Sequence, residues 1–210
     1  MTKSNTAIGA QATSKPLKKS DRTREQILHA AAKLFREQGF AATTLRQIAV
    51  CAKLKAGSIY YYFSSKNEIL DEVLELGIRV VFDAVKQAVD GLPKKASGRE
   101  RVEAAVGAHL YTLLKYSDFT SANFRIYAQV SKAARKRNQN IRRAYTGYWK
   151  ALLSSVQDSG EIAPEVDLTL TRLFLLGSMN GAVEWYDQTK KPISVLARKF
   201  CATLFDGVGR

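Results

Sequence analysis

Cysteine, proline and histidine are scarce in this chain of 210 residues, which holds two Cys, four Pro and two His. Cys51 and Cys201 lie far apart and match neither a disulfide framework nor a paired metal knuckle, so both are expected as small buried hydrophobes in a reducing cytoplasm. No apolar run approaches the ~20 residues needed to cross a bilayer, and no apolar signal stretch follows the first lysine. A cytoplasmic protein without a membrane partner is expected. Missing too are GxGxxG, GxxxxGK, HExxH and CxxC, and nothing near His29 or His109 completes a catalytic or metal site. Neither enzymatic activity nor a cofactor is expected, and no metal site.

Acidic side chains are the minority charge: 33 Lys and Arg stand against 19 Asp and Glu, a formal charge of +14. That excess favours a polyanionic partner such as nucleic acid or an anionic lipid surface. It is uneven, since residues 1–66 carry 12 basic and 3 acidic side chains, whereas residues 67–210 carry 21 and 16. With 46% of its residues apolar, the chain has ample material for a core.

Residues 1–20, rich in Ser, Thr, Ala and Lys, read as a flexible basic arm whose Lys15, Lys18 and Lys19 either touch DNA or are simply solvated. From there every periodic segment is helical, and the expected fold class is all-α. Capping boxes are read at Thr23 with Gln26, Thr44 with Gln47, Ser65 with Glu68 and Ser97 with Glu100. Gly39 is the natural stop of the first helix. The second, with Leu45, Ile48, Ala49 and Ala52 on one face, is barely two turns long. The third runs from Gly57 to Phe63 and buries Ile59 and Phe63, and a long amphipathic helix follows from Ser65 to about Val89. Further helices are expected over about 97–116, 118–133, 138–158, 167–187 and 193–207, with Pro164 and Pro192 just ahead of helices, where proline belongs. The domain reading is an arm (1–20), a helix-turn-helix unit (21–67, motif about 44–63) and a helical domain (68–210).

Two short helices joined by a tight turn let one helix enter the major groove while the other braces it. Lys55, Ala56, Ser58, Tyr60, Tyr61 and Tyr62 are left at the outside or the edges. A tyrosine hydroxyl can donate to a phosphate oxygen, and small Gly57 and Ser58 allow close approach to a DNA backbone. Arg46 and Lys55 can neutralise phosphate or reach a guanine edge, while Thr44 and Lys66 sit at helix N-termini where donors converge on phosphate. Three consecutive tyrosines cannot all be core. One is expected to fill the inter-helix junction, and Tyr61 is the choice.

At these residues the chain resembles the TetR family, through Thr43-Thr44-Leu45-Arg46-Gln47-Ile48-Ala49 and Ala56-Gly57-Ser58-Ile59-Tyr60-Tyr61-Tyr62-Phe63-Ser64-Ser65-Lys66-Asn67-Glu68. The resemblance is close over about residues 22–70 and looser through the helical remainder. It implies that Thr44, Lys55, Gly57, Ser58, Tyr60, Tyr62 and Lys66 contact double-stranded DNA, the last three chiefly on phosphates. Tyr62 replaces a histidine common in the family. A homodimer on a palindromic operator is the further expectation, since one such motif reads too few base pairs for genomic specificity.

The resemblance places the dimer interface on the last two helices, where Leu173, Leu176, Gly177 and Val183 face Phe200, Thr203 and Leu204. Intramolecular core is the other reading of the same residues. A ligand-binding domain is implied as well, with His109, Phe124, Arg125, Tyr127, Tyr148, Trp149, Phe174 and Asn180 as candidate pocket residues beside the alternative of ordinary core. The stretch from Leu175 through Glu184-Trp185-Tyr186 to Phe205 is similar to the subset of the family responsive to acyl-CoA or fatty-acid effectors. The basic run Lys132, Arg135, Lys136, Arg137, Arg142 and Arg143 fits a CoA phosphate or a solvated helix junction. The helix from Ser65 is the expected lever between pocket and DNA. The competing reading is a non-enzymatic basic helical interaction protein without sequence preference, which has no need of the ordered segment from Gly57 to Tyr62.

Overall fold

The structure is a computed structural model that describes residues 19–127, 130–187 and 189–207. Apart from Lys19 and Ser20, the expected N-terminal arm, with Lys15 and Lys18, lies outside the described residues. Every element among the described residues is helical: α1 (Lys19–Ala42), α2 (Leu45–Cys51), a 3-10 turn (Ala56–Tyr61), α3 (Lys66–Asp90), α4 (Gly98–Tyr111), a π-turn (Thr112–Tyr116), α5 (Asp118–Tyr127), α6 (Lys132–Arg137), α7 (Gln139–Asp158), α8 (Leu168–Trp185) and α9 (Ile193–Asp206).

Local chemistry sets most of these boundaries. Thr44 and Ser97 close complete capping boxes with Gln47 and Glu100. Ser65 accepts from the Glu68 amide, but the Glu68 carboxylate turns instead to the backbone N–H and hydroxyl of Ser64. Helix α1 breaks at Gly39 (φ 83°, ψ 165°), a conformation that a β-carbon would strain. At its other end α1 is already helical at Lys19, so Thr23 lies within the helix instead of capping it, and the arm boundary moves back from residue 20. Asp21 in the first turn favours that earlier start, because a negative charge there complements the helix dipole.

The helix expected over 118–133 is two. Ser131 caps a separate α6 by accepting from the Ala134 amide, which the apolar period does not reveal. Pro192 stands at the N-cap of α9, and Pro164 lies shortly ahead of α8, whose N-cap carboxylate, Asp167, accepts from the amides of Thr169 and Leu170.

The packing boundary does not coincide with the end of the helix-turn-helix. One core joins Ile27, Phe35, Ile48, Ile59 and Phe63 to Ile69, Val73 and Leu74 of α3 and to Phe119 and Ile126 of α5. A second joins Ile78, Val81 and Val85 of the same α3 to α4, α7, α8 and α9. Helix α3 therefore passes from one core to the other between Leu74 and Ile78. At that point Gly77 lets α3 and α5 touch backbone to backbone: a β-carbon there would stand 2.5 Å from the Phe119 carbonyl oxygen and 2.8 Å from Asn123 Cβ.

Candidate DNA interface and effector region

The turn after α2 is tight. Lys53 takes a positive φ of 56°, and the amides of Lys53 and Leu54 return to the carbonyls of Val50 and Ala49. The expected helix over Gly57–Phe63 forms as a short 3-10 helix over Ala56–Tyr61, with Ser58 N–H donating to Lys55 O and Tyr62 N–H to Ile59 O, both at 2.9 Å. Ile59 and Phe63 are buried to 0% and 1% exposure and pin it down.

Tyr60 and Tyr61 are 65% and 86% exposed, so the tyrosine that enters the junction is Tyr62, which is half-buried, and not Tyr61. Residues three apart eclipse in a 3-10 turn, so Tyr62 falls on the side of buried Ile59. Arg46, Lys55 and Ala56 are exposed, Ser58 is half-buried, and a β-carbon at Gly57 would meet nothing within 4 Å. Among the described residues no contact requires a glycine there.

Thr44 is exposed, with its hydroxyl engaged at the cap of α2. Lys66 is engaged as well. Its ammonium donates to Phe40 O at 2.9 Å and Thr43 O at 2.7 Å and lies 4.3 Å from the centroid of the Phe40 ring, which leaves one proton to offer outward. This lysine fastens the start of α3 to the end of α1. A lone basic residue at a helix start does not disclose that internal role in sequence.

In the C-terminal bundle four of the expected pocket residues come together. His109 is fully buried on α4, with its ring 6.0 Å from Phe124 and 6.4 Å from Trp149. Its Nε2 is 2.9 Å from Asn180 Oδ1 and its Nδ1 is 2.6 Å from the Tyr145 hydroxyl. Because the Asn180 oxygen can only accept, Nε2 carries the proton and Nδ1 accepts from Tyr145. Burial, partly offset by the Asn180 hydrogen bond, lowers the imidazole pKa to about 4, so it is neutral near pH 7. Burial likewise drives the Tyr145 phenol upward. Tyr145 is the member of this group that the list of candidates lacks; its place four residues before Trp149, on the same face of α7, is the signal that points to it.

The other candidates lie apart. Tyr148 is half-buried against Phe82, and Tyr127 is covered by the guanidinium of Arg142. Arg125 is exposed and lines a surface groove of about 480 Å³ with Arg36, Val183 and Tyr186. Phe174, 61% exposed, belongs to the outer face of α8 with Leu170, Leu173, Gly177 and Trp185. Beside it Phe200, Thr203 and Leu204 of α9 line an apolar groove of about 210 Å³. Of the seven expected interface residues Leu173, Gly177 and Thr203 are exposed on this side, Phe200 and Leu204 are half-buried and line the groove while packing against the second core as Leu176 does, and Val183 lines the groove beside Arg125.

The family model for bacterial regulatory proteins of the tetR family matches residues 27–73, and that for the tetracyclin repressor-like C-terminal domain matches residues 95–208. The chain belongs to the tetR family. One relative is the HTH-type transcriptional repressor KstR2 of Rhodococcus jostii, 29% identical over 191 residues, which cover 88% of this chain and 90% of KstR2. Among solved structures, the TetR-family regulator PfmR of Thermus thermophilus is 25% identical with a TM-score of 0.74, covering 88% of this chain and 99% of PfmR. FadR of Bacillus subtilis, solved in complex with stearoyl-CoA, shares the fold at 21% identity and a TM-score of 0.75, covering 88% and 99% of the two chains. The chain is a tetR-family regulator with an N-terminal helix-turn-helix and a C-terminal helical domain of the family's ligand-responsive kind. Among the described residues, no helix is long and apolar enough to cross a membrane and no cluster of His, Cys, Asp and Glu could hold a metal.

Proposed function

We propose that the protein is a homodimeric transcriptional repressor, without catalytic activity, that grips a palindromic operator and is released from it by a small hydrophobic effector of the acyl-CoA type. The observation that carries this reading is the outward row of Lys55, Gly57, Tyr60 and Tyr61 on a turn whose Ile59 and Phe63 are fully buried. Rigidly anchored phenols and cations beside a bare backbone are suited to phosphate contact and close approach to base edges. Thr44, Arg46, Ala56, Ser58, Tyr62 and Lys66 complete the surface assigned to DNA.

The exposed apolar face of α8 and α9 supports pairing of two copies, which sets two reading turns ~34 Å apart on one side of a duplex. The stearoyl-CoA held by FadR supports the effector class. Such a ligand acts only if it binds the DNA-competent and incompetent forms with different affinity, and α3, which crosses both cores, is the element through which they differ.

The test is selection of bound genomic fragments at two salt concentrations, with Tyr60→Ala alongside. A palindromic site whose affinity falls steeply with salt is expected, weakened by about 1–3 kcal/mol in the variant while its unfolding midpoint stays put. Sequence-indifferent binding that Tyr60→Ala does not alter would instead mark a basic interaction protein.

A further inference from the structure

Arg142, near the start of α7, is a half-buried cation without a carboxylate partner among the described residues. Its guanidinium carbon stands 3.3 Å from the centroid of the Tyr127 ring on α5, and Nη2 donates to Asn123 Oδ1. The neighbouring Nε–H is buried and has no acceptor among the described residues. Nε and Nη2 form the edge of a guanidinium that grips two oxygens of one anion, and here that edge is only half engaged, by a neutral amide. Arg135 of α6 brings a second guanidinium to within 5.4 Å of the same ring. Asp71, the carboxylate that α3 presents to α6, is already taken by both Nε and Nη2 of Arg137. Burial, with Arg135 adding to it, lowers the Arg142 pKa to about 10, the direction for a cation short of countercharge.

Asn123 passes the contact on. It is fully buried, and its Nδ2 donates to the Leu74 carbonyl of α3. Thr120 donates to the Gly77 carbonyl at 3.0 Å one turn further along. These two side chains of α5 hold α3 at its crossing between the cores, and Arg142 orients one of them.

We infer that Arg142, held over the Tyr127 ring, receives a phosphate or carboxylate group, and that taking up this anion turns the Nε–Nη2 fork away from Asn123 and loosens α3 at Leu74. The anion site stands by itself; its effect on DNA rests on the repressor reading above.

The arginine Nε–H resonances of the full-length ¹⁵N-labelled protein test the site, with the Arg142 signal assigned by its loss in Arg142→Lys. Inorganic pyrophosphate, coenzyme A, palmitate and palmitoyl-CoA are titrated in turn. A saturable shift of that one resonance with a Kd tighter than about 1 mM is expected for at least one probe. Response to pyrophosphate and coenzyme A identifies a phosphate source, and response to palmitate a carboxylate; no saturable shift with any of the four overturns the site. With the probe that binds, operator affinity of the unmodified protein should fall at least about tenfold, about 1.4 kcal/mol, while that of Asn123→Ala and Asn123→Ser stays constant although the Arg142 resonance still shifts. An equal change in all three proteins, or none in any, overturns the relay. Failure of the unmodified protein to bind any operator removes the repressor reading and leaves the resonance titration to decide the anion site.

Discussion

Around the reading turn the interior is made of Ile27, Phe35, Ile48, Ile59 and Phe63, with Thr43 the buried polar residue among residues 21–67, whereas the interior of the bundle encloses His109 and Tyr145 and seals Asn123 and Thr120 against α3. The difference follows from where each region meets its partner. The turn displays its phenols and cations and needs only an apolar anchor beneath them. On the proposed reading a region that takes a ligand inward buries polar groups too, most of them paired, since a buried donor left unpaired, as Arg142 Nε–H is, costs about 1–3 kcal/mol.

Substitutions that exchange these characters sharpen the contrast. Phe35→Ala should have the largest effect, about 3–5 kcal/mol of lost stability in denaturant unfolding, because a fully buried ring would leave a cavity. A loss below about 1 kcal/mol would mean that the first core is less closely packed than its burial indicates.

The second test is acidic titration. His109 falls from the ordinary 6.5 to about 4 in the folded chain, so as pH drops the unfolded chain takes up the proton first. The stability this group provides is complete above pH 6.5 and drains away as pH falls from 6.5 toward 4, by on the order of a few kcal/mol. His109→Gln should remove that slope, read as unfolding midpoints from pH 4 to 7. An unchanged slope would mean that other groups carry the acid sensitivity.

Gly77→Ala comes next. Crowding against the Phe119 carbonyl and Asn123 Cβ should cost about 1–3 kcal/mol, and it should also shift operator affinity if α3 carries the coupling. Wild-type thermal stability and operator affinity in this variant would show that the α3–α5 seam has slack. Thr44→Ala, which removes one exposed cap in the reading region, should cost the least, about 1 kcal/mol of thermal stability.

The same contrast explains what could be read in the sequence. Thr44 with Gln47, the Gly39 stop and buried Ile59 and Phe63 are local events, decided within a few residues, and the structure has them where the pattern places them. Tyr62 takes the role expected of Tyr61: three residues on from buried Ile59 it shares that side at a period of 3 or of 3.6, and Tyr61, two residues on, does so at neither, so the spacing itself favours Tyr62. In the bundle, helix positions were legible from the apolar repeat, yet the grouping of His109, Tyr145 and Asn180 was not, since it joins residues of three helices. The same holds for Lys66, whose partners Phe40 and Thr43 lie at the end of α1 and just after it, and for Gly77, whose reason lies on α5. Phe174 and Trp149 look alike in sequence, and only packing shows one outside and the other sealed in.

The outer face of α8 and α9 has a consequence for gene dosage. If the operator is held only by a pair of chains joined through Leu173, Phe174, Trp185 and Phe200, its occupancy at low abundance scales with the square of the chain's concentration. Halving the number of copies in a cell then cuts occupancy about fourfold, so the strength of that apolar contact sets how sharply the promoter responds to small changes in expression.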